Sequence, residues 1–238
     1  MNVRIDRIKD HTFIAGLLTP GGCVVDLGMN RGQFAGEIQA KYRSTVCGVE
    51  PNPLLFEEIA SGDDLRALNY AIGPSGTLAK LHVDREHCEA SSLTYRGQSG
   101  PVVSVRCVCF PELLTLWNAG PIDLLKVDIE GAELEMLRST PAQYLLRARQ
   151  MTVEFHACVG IGSVVEIEGI IRRLDEIGFT AIDFSTNYSD VLFVNRHAVR
   201  LAPSDLAWLL CQKFYFGFAR VARRRLRQAG FRNAAAGA

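Results

Sequence analysis

Three features are missing from this sequence, and each absence excludes a class of protein. None of the seven cysteines forms a C-x-x-C pair, so the sequence predicts neither a zinc knuckle nor a thioredoxin-like redox pair. No run of about 18 apolar residues occurs, so no membrane-spanning helix is predicted. The N-terminal residues alternate in charge and lack an apolar stretch. We therefore expect no secretory signal and a cytoplasmic protein with reduced, mostly buried thiols.

Acidic residues are missing from the C-terminal region, where seven basic residues follow Asp205. Since the whole chain has 26 basic and 26 acidic residues, the body before this region carries an acidic excess. Phosphate backbones require a basic binding surface, so we predict no nucleic-acid partner. The body also lacks a linker and an internal repeat, which favours a single domain over residues 1–200, followed by a basic, aromatic helical tail over 201–238.

The body alternates strand-like and helix-like segments. Short apolar runs predict strands at residues 23–27, 45–49, 68–72, 122–127 and 150–155. Helical periodicity follows four of them, at residues 33–42, 54–60, 132–138 and 164–177, the last closed by Gly178. Alternation predicts an inserted strand pair and a terminal antiparallel pair, at residues 78–83 with 103–108 and 180–184 with 191–195. This order predicts an α/β, Rossmann-like fold with a mostly parallel seven-stranded sheet and helices on both faces.

In such sheets ligands bind beyond the carboxyl ends of the strands, so the residues there are the first candidates for a site. The first strand leads into DLGMNRG, in which Gly28 and Gly32 allow a sharp turn close to a ligand. The spacing differs from the G-x-G-x-x-G of dinucleotide sites. Glu50 ends the second strand, where a carboxylate can accept hydrogen bonds from both ribose hydroxyls. Together these features predict a nucleoside-binding half-site, for either a nicotinamide cofactor or S-adenosylmethionine.

Residue identity separates these two ligands. Five blocks occur in order: VVDLGMNRG (24–32), GVEPNP (48–53), NYAIG (69–73) with SSL (91–93), IDLLKVDIEGAE (122–133) and VEFH (153–156). In these blocks the chain resembles the FkbM family of S-adenosylmethionine-dependent methyltransferases, over roughly residues 24–195. It departs from the family where members often carry a Leu-Asp-Asp stretch, because residues 108–113 read VCFPEL here.

The resemblance implies a class I methyltransferase fold, S-adenosylmethionine as the cofactor, and roles for particular residues. It implies that the methionine portion is held by Asp26, Gly28, Asn30 and Gly32. It implies that Glu50 binds the ribose, that residues 69–72 lie beside the adenine, and that cofactor contacts further include Asn52, Asn69, Ala71 and Asp128. Carboxylates after the strands also favour a sulfonium cation electrostatically.

We expect catalytic residues in the DIEG block at residues 128–131. Methyl transfer to an alcohol needs positioned reactants and a general base, because a neutral hydroxyl is a poor nucleophile. Asp128 and Glu130 follow one predicted strand, and Glu154 and His156 follow the next. We therefore predict these four residues as catalytic, with His156 as the histidine placed at a strand end.

Each of these residues also has a structural interpretation. Asp128 could cap the following helix, Glu130 and Glu133 could face a helix N-terminus, and His156 could be a histidine bonded to backbone at the edge of the core. Carboxylates with an imidazole can also bind divalent cations, so Asp128, Glu154 and His156 form an alternative metal site. The prediction from the sequence is that no metal is bound.

The resemblance therefore implies an O-methyltransferase acting on a hydroxyl of a sugar, a glycolipid or a polyketide-type small molecule. One alternative is an NAD-dependent oxidoreductase, against which the missing third glycine counts. The other is a non-catalytic, methyltransferase-like binding module, against which the intact block at residues 128–133 counts. The sequence does not indicate the acceptor or the oligomeric state.

The tail beyond Asp205 lies outside the resemblance. On a helix, Leu210, Phe214, Phe218 and Val221 form one apolar stripe, with arginines at 220, 223 and 227 on another face. Such a segment could lie on an anionic membrane surface, which would place the protein peripherally at the inner membrane. The favoured interpretation is a C-terminal helix docked on the sheet or on a second subunit.

Overall fold

The computed structural model describes residues 3–60, 62–82, 102–156 and 162–214. The strands within them are β1 (Ile5–Ile8), β2 (His11–Ile14), β3 (Cys23–Leu27), β4 (Thr45–Val49), β5 (Leu65–Leu68), β6 (Ala71–Ile72), β7 (Leu78–His82), β8 (Val102–Val108), β9 (Ile122–Val127), β10 (Gln150–Val153), β11 (Phe179–Asp183) and β12 (Val191–Asn195). The helices are α1 (Gln33–Tyr42), α2 (Pro53–Phe56), α3 (Phe110–Leu116), α4 (Glu133–Ser139), α5 (Ala142–Leu145), α6 (Val164–Glu176) and α7 (residues 203–214). Residues 91–93 of the sequence blocks lie outside the described residues.

Seven strands form the central sheet in the order β11-β12-β10-β9-β3-β4-β5. The five from β10 to β5 run parallel, and β12 runs antiparallel to both of its neighbours. All six residues of β9 are buried, as expected for a parallel strand covered on both faces. The predicted seven-stranded, mostly parallel α/β fold is confirmed.

Two predicted elements differ from the structure. The strand predicted at 68–72 is split between β5, in the central sheet, and β6, which joins β8 and β7 in a small second sheet. The split occurs because the Asn69 side chain donates hydrogen bonds to the carbonyls of Glu50 and Pro51, which draws this residue out of the strand. The helix predicted at 54–60 ends at Phe56, beyond which tighter turns continue as far as Ile59.

An N-terminal hairpin, which the sequence did not predict, packs against the sheet. Strands β1 and β2 pair antiparallel, and all four residues of β2 are buried. The amide of Gln150 bonds to both the N–H and the carbonyl of Ile14, and the carboxylate of Asp190 accepts from the N–H and hydroxyl of Thr12. These contacts place His11 above the end of β9.

Helix α7 covers one apolar cluster of the core. Leu209 is fully buried among side chains that include Ile14 and Leu192, and Leu206 packs against the same cluster. Leu210 and Phe214, from the predicted apolar stripe, are 42% and 63% exposed. The start of the tail thus docks on the body through a different face, while Phe218, Val221 and the arginines lie outside the described residues. Within the described chain, no helix combines the length and apolarity needed to cross a membrane.

Two adjacent leucines test this docking. We expect Leu209→Ala to lower the free energy of unfolding by about 2–4 kcal/mol, because a fully buried leucine is lost from a packed cluster. Leu210→Ala, on the exposed face of the same helix, should change it by less than about 1 kcal/mol. Urea denaturation measures both values. Equal effects of the two substitutions would contradict the docked helix.

Candidate active site

The turn after β3 is shaped by glycine. Gly28 and Gly32 have φ values of 90° and 73°, and Asn30 between them also lies in the left-handed region at 52°. The N–H groups of Gly28 and Met29 both donate to the carbonyl of Val49, which fixes the turn to the end of β4. A side chain at position 28 would collide with the carbonyl oxygen of Asp128. The turn after β3 and the end of β9 therefore touch through their backbones.

A buried lysine joins the ends of these two strands. Nζ of Lys126 lies 3.0 Å from Oδ1 of Asp26 and 3.4 Å from Oδ2 of Asp128, and it donates to the carbonyl of Gly28 at 2.6 Å. Burial works to lower the pKa of Lys126, but the two carboxylates outweigh it and raise the pKa above its usual value. Burial likewise acts to raise the pKa of Asp128, but Lys126 and His11 hold it well below its usual range. Each of these two groups therefore favours the charged form of the other.

The carboxylate of Glu50 is held in place by the backbone. It accepts hydrogen bonds from the N–H of Asn30 at 2.7 Å and of Asn52 at 2.8 Å, one on each oxygen. Burial raises the pKa of Glu50 to about 7, against the opposing effect of these two hydrogen bonds. Each oxygen keeps a second acceptor position, because an ionised carboxylate offers about four.

One cavity brings together most of the predicted cofactor residues. Its lining includes Gly28, Asn30, Glu50, Ala71 and Asp128, together with Glu130 from the predicted catalytic set. The cavity therefore connects the ends of β3, β4 and β9 with the start of the small sheet.

The remaining predicted cofactor residues do not line the cavity but support the loops that do. Asp26 is fully buried beneath the turn, and Gly32 packs near Ile59 at the start of α1. The side chain of Asn52 accepts from the N–H of Leu54 and caps α2, while Asn69 holds the chain after β4. In the structure these four residues shape the loops that line the cavity.

The predicted catalytic residues meet in a cluster of carboxylates around one imidazole. Nδ1 of His156 lies 3.0 Å from Oε1 of Glu133, and Nε2 lies 3.3 Å from Oε2 of Glu130 and 3.7 Å from Oδ1 of Asp128. Burial acts to lower the pKa of His156, but Glu133, Glu130 and Asp128 together raise it to about 10. Burial, and then the charge of Asp128, raises the pKa of Glu154 to about 7.

The structure also tests the structural interpretations of Asp128 and Glu133. Asp128 does not cap α4, because the cap position of that helix is Ala132. The side chain of Asp128 faces Lys126 and His11 instead. Glu133 is buried and accepts the backbone N–H groups of Ile129 and Gly131, so it braces the loop before α4.

One residue of the cluster escaped the sequence analysis. Nε2 of His11 lies 3.3 Å from Oδ2 of Asp128, and the His11 ring meets Phe34 edge-on at 5.6 Å between centroids. Its side chain is 3% exposed. The β-branched and aromatic residues at 12–14 were the available signal, but this run is too short to indicate that a hairpin would reach a strand more than a hundred residues away.

The chain was compared with known families and structures. The family model described as the methyltransferase FkbM domain matches residues 26–183. A search of curated proteins finds no match. Fibrillarin from Aeropyrum pernix, with natively bound S-adenosyl-L-methionine, is 13% identical at a TM-score of 0.43, covering 74% of this chain and 67% of its own. TrmK from M. capricolum, with S-adenosyl-homocysteine, is 9% identical at a TM-score of 0.42, and the match covers 79% of this chain and 69% of TrmK. A fibrillarin pre-rRNA processing protein from Methanococcus jannaschii is 10% identical at a TM-score of 0.45, and the match covers 81% of this chain and 70% of that protein.

Two glycines test the close contact between the strand ends. We expect Gly28→Ala to lower the free energy of unfolding by about 2 kcal/mol or more, because its φ is 90° and the added methyl group meets the Asp128 carbonyl. Gly36→Ala, with open space around it in α1, should raise stability by about 0.5–1 kcal/mol. Thermal and urea unfolding measure both. A Gly28→Ala protein as stable as the wild type would show that the turn is not tightly packed.

Proposed function

Since this chain belongs to the FkbM family of S-adenosylmethionine-dependent methyltransferases, we propose that it methylates a hydroxyl oxygen of a sugar, a glycolipid or a polyketide-type small molecule. The family sets aside the alternative of a nicotinamide-dependent oxidoreductase. The activity measurements below test the other alternative, a non-catalytic, methyltransferase-like binding module.

The observation that carries the proposal is the continuity of one cavity. Its lining extends from Glu50, at the end of β4, to Asp128 and Glu130, after β9. A donor held at the Glu50 end is therefore close to a group of side chains that can accept a proton. Methyl transfer is an in-line displacement, so holding the two reactants next to each other supplies much of the rate acceleration.

The chain's own residues fit the methyl donor. Glu50 has one acceptor position left on each oxygen, which suits two neighbouring ribose hydroxyls. The donor supplies an electrophilic methyl group on a sulfonium cation, and the carboxylates after β9 favour positive charge in the cavity. Ala71 and Ile72 add an apolar wall suited to a base ring.

Oxygen as the acceptor atom is supported by the carboxylate–imidazole cluster. An alcohol must lose its proton during the transfer, and this loss requires a nearby acceptor. We assign that role to the carboxylates of Glu130 and Glu154, because burial raises the pKa of each to about 7, while His156 and Asp128 hold the cluster together. The acceptor class itself can be tested by supplying donor with a labelled methyl group to panels of sugars, glycolipids and macrolactones, followed by NMR of any product for an O-methyl signal. Label found only on nitrogen or carbon would contradict the proposal.

Donor binding should depend on Glu50 and on pH. We expect S-adenosylhomocysteine to bind at micromolar order, about −8 kcal/mol, and NAD not to compete. Since burial raises the pKa of Glu50 to about 7, and the ionised form accepts both hydroxyls, affinity should rise as the pH increases from 6 to 8. Calorimetry should show that Glu50→Gln weakens binding by roughly 1–3 kcal/mol and removes this pH dependence. Glu57→Gln, at an exposed position nearby, is the control. Unchanged affinity in Glu50→Gln would exclude the ribose role.

Turnover should depend on the cluster. We expect His156→Ala and Asp128→Asn each to lower the rate of methyl transfer by about 10²-fold or more, because proton removal is impaired. Affinity for S-adenosylhomocysteine should change little in His156→Ala. His197→Ala, at an exposed histidine, serves as the control, and thermal melting verifies that each variant is folded. If both variants keep full activity, proton removal lies elsewhere.

A further inference from the structure

The imidazole of His156 is oriented from behind by a buried carboxylate. Its Nδ1 lies 3.0 Å from Oε1 of Glu133, which is 2% exposed and also accepts the backbone N–H of Ile129. When a carboxylate accepts the Nδ1 proton of a histidine, the lone pair of Nε2 points away from it. Proteins commonly orient the histidine ligands of metals in this way.

The other ring nitrogen faces two more acceptors. Nε2 lies 3.3 Å from Oε2 of Glu130 and 3.7 Å from Oδ1 of Asp128. In the metal-free protein a proton on Nε2 can lie between these oxygens, and a divalent cation that binds the deprotonated imidazole can take the place of that proton. The separations suit a metal ion, because ligands about 2.1 Å from an ion in adjacent octahedral positions lie about 3.0 Å apart.

We infer that Asp128, Glu130 and His156 form a binding site for a divalent cation of the Mg²⁺ or Mn²⁺ class. One donor atom from each side chain lies within 4.8 Å of the others. Carboxylate oxygens are the preferred ligands of both ions, and the imidazole nitrogen favours Mn²⁺ over Mg²⁺. Mn²⁺ is therefore the ion of choice for a direct test.

A second set of donors shares Asp128 but is less suited to a metal. It consists of His11, Asp128 and Glu154. The Asp128 oxygen on this side, Oδ2, lies 3.4 Å from the ammonium group of Lys126. That positive charge repels a second cation. The site therefore lies on the Oδ1 side, which faces His156.

The cation's task follows from its place in the cavity, and this step rests on the proposed function. Asp128 and Glu130 line the cavity, so the coordination positions not taken by protein face the space for the acceptor. An ion with open positions there would hold a hydroxyl oxygen and lower the pKa of the hydroxyl, and Glu154, which is not one of the three ligands, would accept its proton.

Direct binding of Mn²⁺ tests the inference without donor or acceptor. The full chain, stripped of metal with EDTA, is titrated with Mn²⁺ and followed by electron paramagnetic resonance, in which free Mn²⁺ loses its signal on binding. We expect one ion per chain, competition by Mg²⁺, and a spin-echo modulation from a bound imidazole nitrogen. No binding by the wild-type protein at millimolar Mn²⁺, or binding without the nitrogen signature, overturns the site.

Matched variants locate the ion. Glu130→Gln and His156→Gln should each weaken Mn²⁺ binding by tenfold or more, and the second should abolish the nitrogen modulation. Glu135→Gln, at an exposed carboxylate on α4, should bind as the wild type does. Wild-type affinity in Glu130→Gln and His156→Gln would also overturn the site, and circular dichroism verifies their folding.

Different results would contradict the cation site and the proposed O-methyltransferase activity. If Mn²⁺ does not bind and methyl transfer to a hydroxyl is undiminished in EDTA, the cation site is wrong while the O-methyltransferase stands. If Mn²⁺ binds at this site but no hydroxyl is methylated, the site stands and the acceptor class is wrong.

Discussion

The contact of one buried ammonium group with three oxygen-bearing partners is the interaction on which the site depends. Lys126 is 3% exposed, yet it meets the carboxylates of Asp26 and Asp128 and the carbonyl of Gly28. A lone charge at this depth would be strongly unfavourable, so removing any one partner leaves the others uncompensated. The ion cluster ties the ends of β3 and β9 together at the point where the cavity begins.

The neighbouring features follow from this contact. Because the strand ends are drawn together, the turn after β3 has no room for a side chain at Gly28. Because Lys126 occupies one oxygen of Asp128, the other oxygen is directed towards His156. The N-terminal hairpin adds a second hydrogen-bonding group, His11, on the lysine side. Asp128 therefore has two chemically different sides.

That asymmetry underlies both the proposed function and the proposed cation site. The lysine side of Asp128 is neutralised and structural, whereas the side facing Glu130 and His156 concentrates acceptors around an open cavity. A sulfonium group, a proton and a divalent cation are all stabilised by such a concentration of negative charge. Glu50 lies at the other end of the same cavity, where two backbone N–H groups hold its carboxylate in place.

The sequence by itself determined the sheet and the positions of residues at its carboxyl edge, because strand periodicity and glycine turns are local signals. It therefore predicted the turn at Gly28, the carboxylate at Glu50 and the group around Asp128. It did not predict that Asn52 and Asn69 would support loops, that Lys126 would bridge two strands, or that His11 would reach Asp128. Those contacts join residues up to 117 positions apart. Only the tertiary structure decided them, because the free energy of a buried charge depends on which partners surround it in space and not on its neighbours along the chain.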